Sequence, residues 1–160
     1  VHNWTAFYGS LGVGITSVNS DMGIGLDGYH YGGRVGADIQ LGLSPLVVGA
    51  FADYTQKHGS SPFNIDAREW SYGARLGVAV GRGQGTLLYG LVARPNLKID
   101  GMSGDMTGLT FGGGFETMLH RNWSISLEAT RTTYDDLTMV REWAFGPRMT
   151  FRWDAPQLKQ

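Results

Sequence analysis

Nucleophilic catalysis in this chain would fall to serine and histidine, because the sequence contains no cysteine. The same absence removes disulfides and thiolate metal sites. A serine hydrolase centre needs a serine and a histidine within hydrogen-bond reach, with an acid to orient the ring. The four histidines are His2, His30, His58 and His120. His30 falls near one rim of the expected fold with Ser71 across from it, His58 falls in a long connection, and His2 and His120 fall at the opposite end. Divalent-cation chemistry would fall to Asp21 with Asp27, Asn64 with Asp66, Asp100 with Asp105, and Asp135 with Asp136. None of these has the dense ligand spacing of a calcium loop, and solvated turn residues are the better reading. No metal and no cofactor is expected.

A third constellation is more informative. Arg34, Arg75, Arg94, Arg148 and Arg152 occupy alternate positions in apolar-rich segments, as do Asp38, Asp53, Glu116 and Glu128. An ion taken out of water must be paired or hydrogen-bonded, since an unpaired one costs several kcal/mol. A near-balanced set on one face therefore suggests charges that neutralise one another in a confined interior.

The elements that must position these charges are strands. Period-2 alternation recurs in eight segments, 4–15, 29–43, 46–55, 70–80, 86–94, 108–119, 123–133 and 142–153, while helical periodicity is almost absent. In the first, Phe7, Leu11, Val13 and Ile15 share one face and Tyr8, Ser10, Gly12 and Gly14 the other. In the last, Trp143, Phe145, Met149, Phe151 and Trp153 oppose Ala144, Gly146, Arg148, Thr150 and Arg152. The fifth has the weakest contrast, setting Leu87, Tyr89, Leu91 and Ala93 against Leu88, Gly90, Val92 and Arg94. Connections alternate in length: short near 44–45, 82–85 and 120–122, long over 16–28, 56–69, 95–107 and 134–141.

The chain of 160 residues suits one domain. A net charge of −1 without a basic stripe argues against a nucleic-acid partner. No apolar run approaches the roughly 20 residues of a membrane helix. A mean hydropathy of −0.15 does not exclude a membrane barrel, whose apolar residues alternate with polar ones. Glycine, at 25 residues, is about twice the average usage. Much of it lies on the polar face beside arginine, which suits the crowded interior of a small barrel and would only weaken strands on a wet exterior. Aromatics gather at strand ends, Trp4, Tyr89, Trp123 and Trp153 at one rim and Tyr31, Tyr54, Trp70, Tyr134 and Trp143 at the other, as in two interfacial girdles. The expected fold is an all-β, eight-stranded antiparallel up-and-down transmembrane barrel over residues 1–153. Its acyl-facing side is apolar and its lumen carries the charge network.

The opening Trp4-Thr-Ala-Phe-Tyr-Gly-Ser-Leu-Gly-Val-Gly resembles the first strand of small outer-membrane β-barrel proteins, the superfamily of the OmpA membrane domain, OmpX and the opacity proteins. Tyr72-Gly-Ala-Arg-Leu-Gly and Phe111-Gly-Gly-Gly-Phe-Glu resemble its inner strands, and Phe145-Gly-Pro-Arg-Met-Thr-Phe-Arg-Trp its last. The resemblance implies a Gram-negative outer-membrane location, and the alternation of short and long connections with an even strand count puts both termini in the periplasm. The resemblance also implies a chain that ends at an aromatic; here 154–160 follow Trp153 and are read as a short periplasmic tail. Pro147 lies inside the last segment, where a bulge or a local break in the ladder is expected.

The leading functional expectation is a non-enzymatic barrel with a plugged interior, serving envelope structure or presenting its loops to a protein or surface partner. A narrow solute pore ranks second and a lipid A-modifying enzyme third, since no histidine shares a lipid-facing strand position with a serine. Expected partners are outer-membrane lipid and lipopolysaccharide, for which Arg131, at lipid-facing parity, is a candidate phosphate contact or a snorkelling side chain. The apolar loop residues Met22, Ile24, Phe63, Ile65, Leu97, Ile99, Met102, Met106, Leu137 and Met139 are candidates for docking a protein partner, the alternative being strands that protrude above the bilayer and pack against each other.

Overall fold

The computed structural model describes residues 3–20, 25–59, 66–99, 106–134 and 140–154. Within them run β1 (Ala6–Ser20), β2 (Gly25–Gln40), β3 (Leu46–Gly59), β4 (Asp66–Val80), β5 (Thr86–Ile99), β6 (Met106–Met118), β7 (Trp123–Tyr134) and β8 (Val140–Asp154). Each strand pairs antiparallel with its sequence neighbours, and β8 closes on β1. The end of the barrel where β1 begins and β8 ends also carries the β2–β3, β4–β5 and β6–β7 turns; it is called the turn end below, and the opposite end the loop end.

The register fixes the shape. Cross-strand partners traced once around the barrel run from Phe7 to Ala37, Ala50, Ala74, Val92, Phe111, Arg131, Trp143 and back to Ser17. The path returns ten residues further along β1, at Ser17 instead of Phe7. A stagger of that size over eight strands tilts them about 43° from the axis. Trp143 and Trp153, both exposed on β8, are then about 24 Å apart along the axis, close to the height of a membrane barrel's apolar band.

Polarity is inverted relative to a soluble barrel. Leu11 and Phe7 are 75% and 62% exposed, whereas Arg34 and Arg75 are 5% exposed. Outward positions are mainly apolar on every strand, and most of the charges face the lumen.

Three expectations are corrected. First, β5 is reversed. Leu87, Tyr89, Leu91 and Ala93 are buried and Leu88 and Val92 exposed, so Arg94 points outward and Tyr89 inward. Second, Trp4 is no girdle residue. It precedes β1, shares the parity of inward Ala6 and Tyr8, and is fully buried at the turn end. Third, strands extend far into the expected connections: β1 continues to Ser20 and β3 to Gly59, which puts His58 in a strand. Beyond the bilayer both strand faces are wetted, so the hydropathy alternation fades while the hydrogen-bond ladder persists.

Around Pro147, pairing of β8 with β1 lapses between Gly12–Arg148 and Ile15–Phe145 and resumes in the same register. Pro95 interrupts the β5–β6 ladder similarly, between Ala93–Thr110 and Asn96–Thr107. A proline cannot donate to a neighbouring strand, and in neither place does the register slip.

Candidate functional site

The alternate inward positions of eight strands converge on a lumen too narrow to stay empty. Its charges lie in three clusters stacked from turn end to loop end. At the turn end, Asp38, Arg75, Glu116 and Arg152 are all buried. Arg152 donates to Glu116 from Nη2 (2.6 Å) and Nε (2.9 Å) and to Asp38 Oδ2 from Nη1 (2.9 Å). Arg75 donates to Asp38 Oδ1 from Nε (2.9 Å), to Asp38 Oδ2 from Nη2, and to Glu116 from Nη1 (3.2 Å). Ser124 Oγ completes Glu116 at 2.7 Å. Two cations thus meet two anions, with every carboxylate oxygen engaged.

Small residues make room for these long side chains. A Cβ on Gly49 would lie 2.1 Å from Asp38 Oδ1, so only glycine admits that carboxylate. Aromatic faces pack the guanidinium groups. Arg75 lies 4.9 Å from the Tyr8 ring centroid and 5.0 Å from that of Tyr89. Arg152 lies 4.7 Å from the Trp4 ring, and Trp4 Nε1 donates to the Gln84 carbonyl at 2.8 Å. Trp4 thereby spans from the charge cluster to the β4–β5 turn.

In the middle cluster, Arg34 grips Glu128 bidentately (2.9 and 2.8 Å) and donates to Asp53 Oδ2 from Nε (3.1 Å) and Nη2 (2.9 Å). Tyr89 donates to Glu128 at 2.8 Å. Arg148 lies 3.8 Å from Asp53 and donates to Ser10 Oγ at 3.2 Å. Towards the loop end, Lys57 bridges Glu69 (2.8 Å) and Glu142. Between these two clusters is a polar chamber of about 70 Å³, lined by His30, Thr55, Ser71, Thr110 and Thr130 among others. His30 Nδ1, Asp53 Oδ1 and Arg148 Nε are buried there without a hydrogen-bond partner.

Of the nine charged residues expected in the lumen, eight converge there and Arg94 does not. The Lys57–Glu69–Glu142 cluster was missed. Its signal was present, since Lys57 continues the inward parity of Asp53 and Thr55, Glu69 that of Ser71, and Glu142 that of Ala144.

On the outward face, Trp123, Phe151 and Trp153 stack edge-on at the turn end, with centroids 5.0 and 5.1 Å apart. Tyr31, Tyr54, Trp70 and Trp143 line the loop end, where Tyr54 and Trp70 are in contact at 4.6 Å. Tyr134 ends β7, and its side chain lies outside the described residues. So do Met22, Ile24, Phe63, Ile65, Met102, Leu137 and Met139, and the side chains of Leu97, Ile99 and Met106. His58 faces outward, stacked on Tyr31 at 5.6 Å. Among the described residues, no group of three or more histidine, aspartate or glutamate side chains could hold a metal.

A closed antiparallel barrel that is apolar outside and ion-paired within is a transmembrane β-barrel. The chain belongs to the outer membrane protein beta-barrel domain family, whose model matches residues 2–151, and its place is the bacterial outer membrane. It is similar in structure to Neisserial surface protein A (TM-score 0.66, 16% identity, 92% of this chain and 97% of that one). It is also similar to Ail of Yersinia pestis (0.57, 19%, 92% and 99%) and to OprG of Pseudomonas aeruginosa (0.56, 12%, 96% and 98%). A second Ail structure (0.58, 21%, 92% and 99%) is a complex with the heparin analogue sucrose octasulfate. At these identities the likeness is one of fold. No curated protein sequence matches the chain.

Proposed function

We propose that this chain is a non-enzymatic barrel with a sealed interior that ties into the outer membrane and presents its loop end to a partner at the cell surface. The observation that carries the reading is the paired filling of the lumen. Two ion clusters and the buried Trp4 fill the lumen from the turn end to its middle, where a conducting path would have to continue. Eight strands enclose little more than their own side chains.

At the loop end the strands continue well past the aromatic border, whereas at the other end they turn close to it, and this favours both termini in the periplasm. The loop end then faces outward, and its apolar residues, Met22, Phe63, Met102 and Leu137 among them, are the proposed contact for a protein partner. Anionic surface glycans are a second class of partner, by analogy with the sulfated ligand of Ail. Lipid contact extends to lipopolysaccharide in the outer leaflet. His30, the histidine expected across from Ser71, faces the lumen rather than the acyl chains, which counts against its use on lipid A, while His58 faces outward and is stacked on Tyr31.

Planar-bilayer recording tests the seal. The purified barrel should give no resolved conductance steps, and regular steps at low voltage would replace this reading with the narrow pore. The chamber under Lys57 is the one observation favouring that second reading. Lipid A from cells with and without the protein should have the same mass spectrum.

A further inference from the structure

The reversal of β5 places Arg94 among outward residues, and it is not alone there. Among outward strand positions with described side chains, the charged residues are Arg68, Arg94 and Arg131, and none is acidic. All three lie at the loop end. Arg68 is one outward position beyond Trp70 on β4. Arg94 pairs in register with Tyr72. Arg131 pairs with Trp143 and lies 5.4 Å from its ring. They therefore sit at the aromatic border, where acyl chains give way to headgroups.

We infer that Arg68, Arg94 and Arg131 form a binding site for the phosphate groups of an anionic glycolipid in the leaflet at the loop end. The inference rests on the proposed orientation, which puts that end in the outer leaflet. Arg68 and Arg94 are exposed and have no ion pair among the described residues, and Arg131 Nε is buried without a hydrogen-bond partner. Arg94 and Arg131 flank β6, two strand spacings or about 10 Å apart. A phosphate held over Leu109 or Phe111 is within reach of both side chains. Guanidinium is the group best matched to phosphate oxygens, which it can bind bidentately. Snorkelling to bulk water accounts for any one of these arginines. A one-signed set on β4, β5 and β7, beside aromatics at a single level, fits an anionic layer better.

The test titrates diphosphoryl lipid A into mixed micelles holding the full chain. Wild type is compared with Arg94→Gln/Arg131→Gln and with Arg82→Gln, a turn-end control. Heat-shifted gel migration verifies that each variant is folded. Lipid A should bind the double variant about 100-fold more weakly, roughly tenfold per lost charge-assisted contact, and the control equally well. Dephosphorylated lipid A should bind wild type no better than lipid A binds the double variant. Equal binding of the dephosphorylated form, or a double variant within about twofold of wild type, overturns the site. Displacement by inorganic phosphate at matched free concentration overturns the glycolipid as ligand in favour of free phosphate. Orientation is read separately: Thr107→Cys, in a chain with no other cysteine, should react with an impermeant maleimide on intact cells. Labelling only after permeabilisation would refute the orientation while the micelle titration still reports on the arginines.

Discussion

Glu116 offers the sharpest test of the paired lumen. Its carboxylate is 2% exposed. It accepts hydrogen bonds from Arg152, Arg75 and Ser124 at 2.6–3.2 Å. Replacing it with alanine leaves Arg75 and Arg152 sharing Asp38, two buried cations on one anion. Breaking a buried pair from one side costs about 3–5 kcal/mol, most of it the stranded charge. Glu116→Gln keeps the shape and most hydrogen bonds but not the charge, so it should cost nearly as much. Glu116→Ala/Arg152→Met restores balance, because Arg75 and Asp38 remain paired, and the methionine keeps part of the packing against Trp4 and Tyr8. The double variant should therefore be more stable than Glu116→Ala by about 1–3 kcal/mol, a coupling that additive behaviour cannot produce. Equilibrium urea unfolding in lipid vesicles, followed by tryptophan fluorescence and by gel migration, measures all three together with Arg152→Met, the single variant that closes the cycle. A Glu116→Ala cost below about 1 kcal/mol, or additivity in the double variant, would refute the claim that charge pairing governs the stability of this lumen.

Three further outcomes follow from the same geometry. Val92→Arg, near the middle of β5 on its outward face, should destabilise the barrel by about 2–4 kcal/mol in vesicle unfolding; a neutral result would mean that β5 has the opposite orientation. Gly49→Ala should cost about 1–3 kcal/mol, because its methyl group displaces a carboxylate locked by two arginines, whereas Gly33→Ala should be near neutral, since its methyl group meets nothing closer than 3.5 Å. Trp4→Ala should cost about 3–5 kcal/mol and raise ion leakage in planar-bilayer recordings, whereas leakage equal to wild type would show that Trp4 is not a stopper.

Seven strands could be oriented from alternation alone, because each sets apolar side chains against arginine, acid, serine or glycine. Residues such as Val35 and Ile39 against Arg34 and Asp38 admit only one arrangement once the fold is a membrane barrel. The partners of the charges were another matter. Arg34 reaches both Asp53 on the adjacent β3 and Glu128 across the lumen on β7, and Arg152 on β8 reaches Asp38 on β2. Those distances follow from the stagger of the closed sheet, which no local pattern encodes. Parity alone would have placed Trp4 inward beside Tyr8 and Ala6, and the general preference of tryptophan for the membrane interface argued wrongly against it.

β5 failed for a different reason. Leu87, Leu88, Tyr89, Leu91 and Val92 make both faces apolar, so hydropathy carries no sign, and Arg94 then tips the choice the wrong way. What settles the orientation is the preceding turn. Reading 82–85 as the connection sets Gly81 opposite Thr86 and turns Leu87 outward. The chain instead pairs Val80 with Thr86, taking Gly81 into the turn at a positive φ of 84°, with Gly83 and Gln84 also at positive φ. One residue of turn length inverts every side chain that follows. A left-handed backbone at Gly81 therefore sends Tyr89 inward to Glu128 and leaves Arg94 at the lipid border.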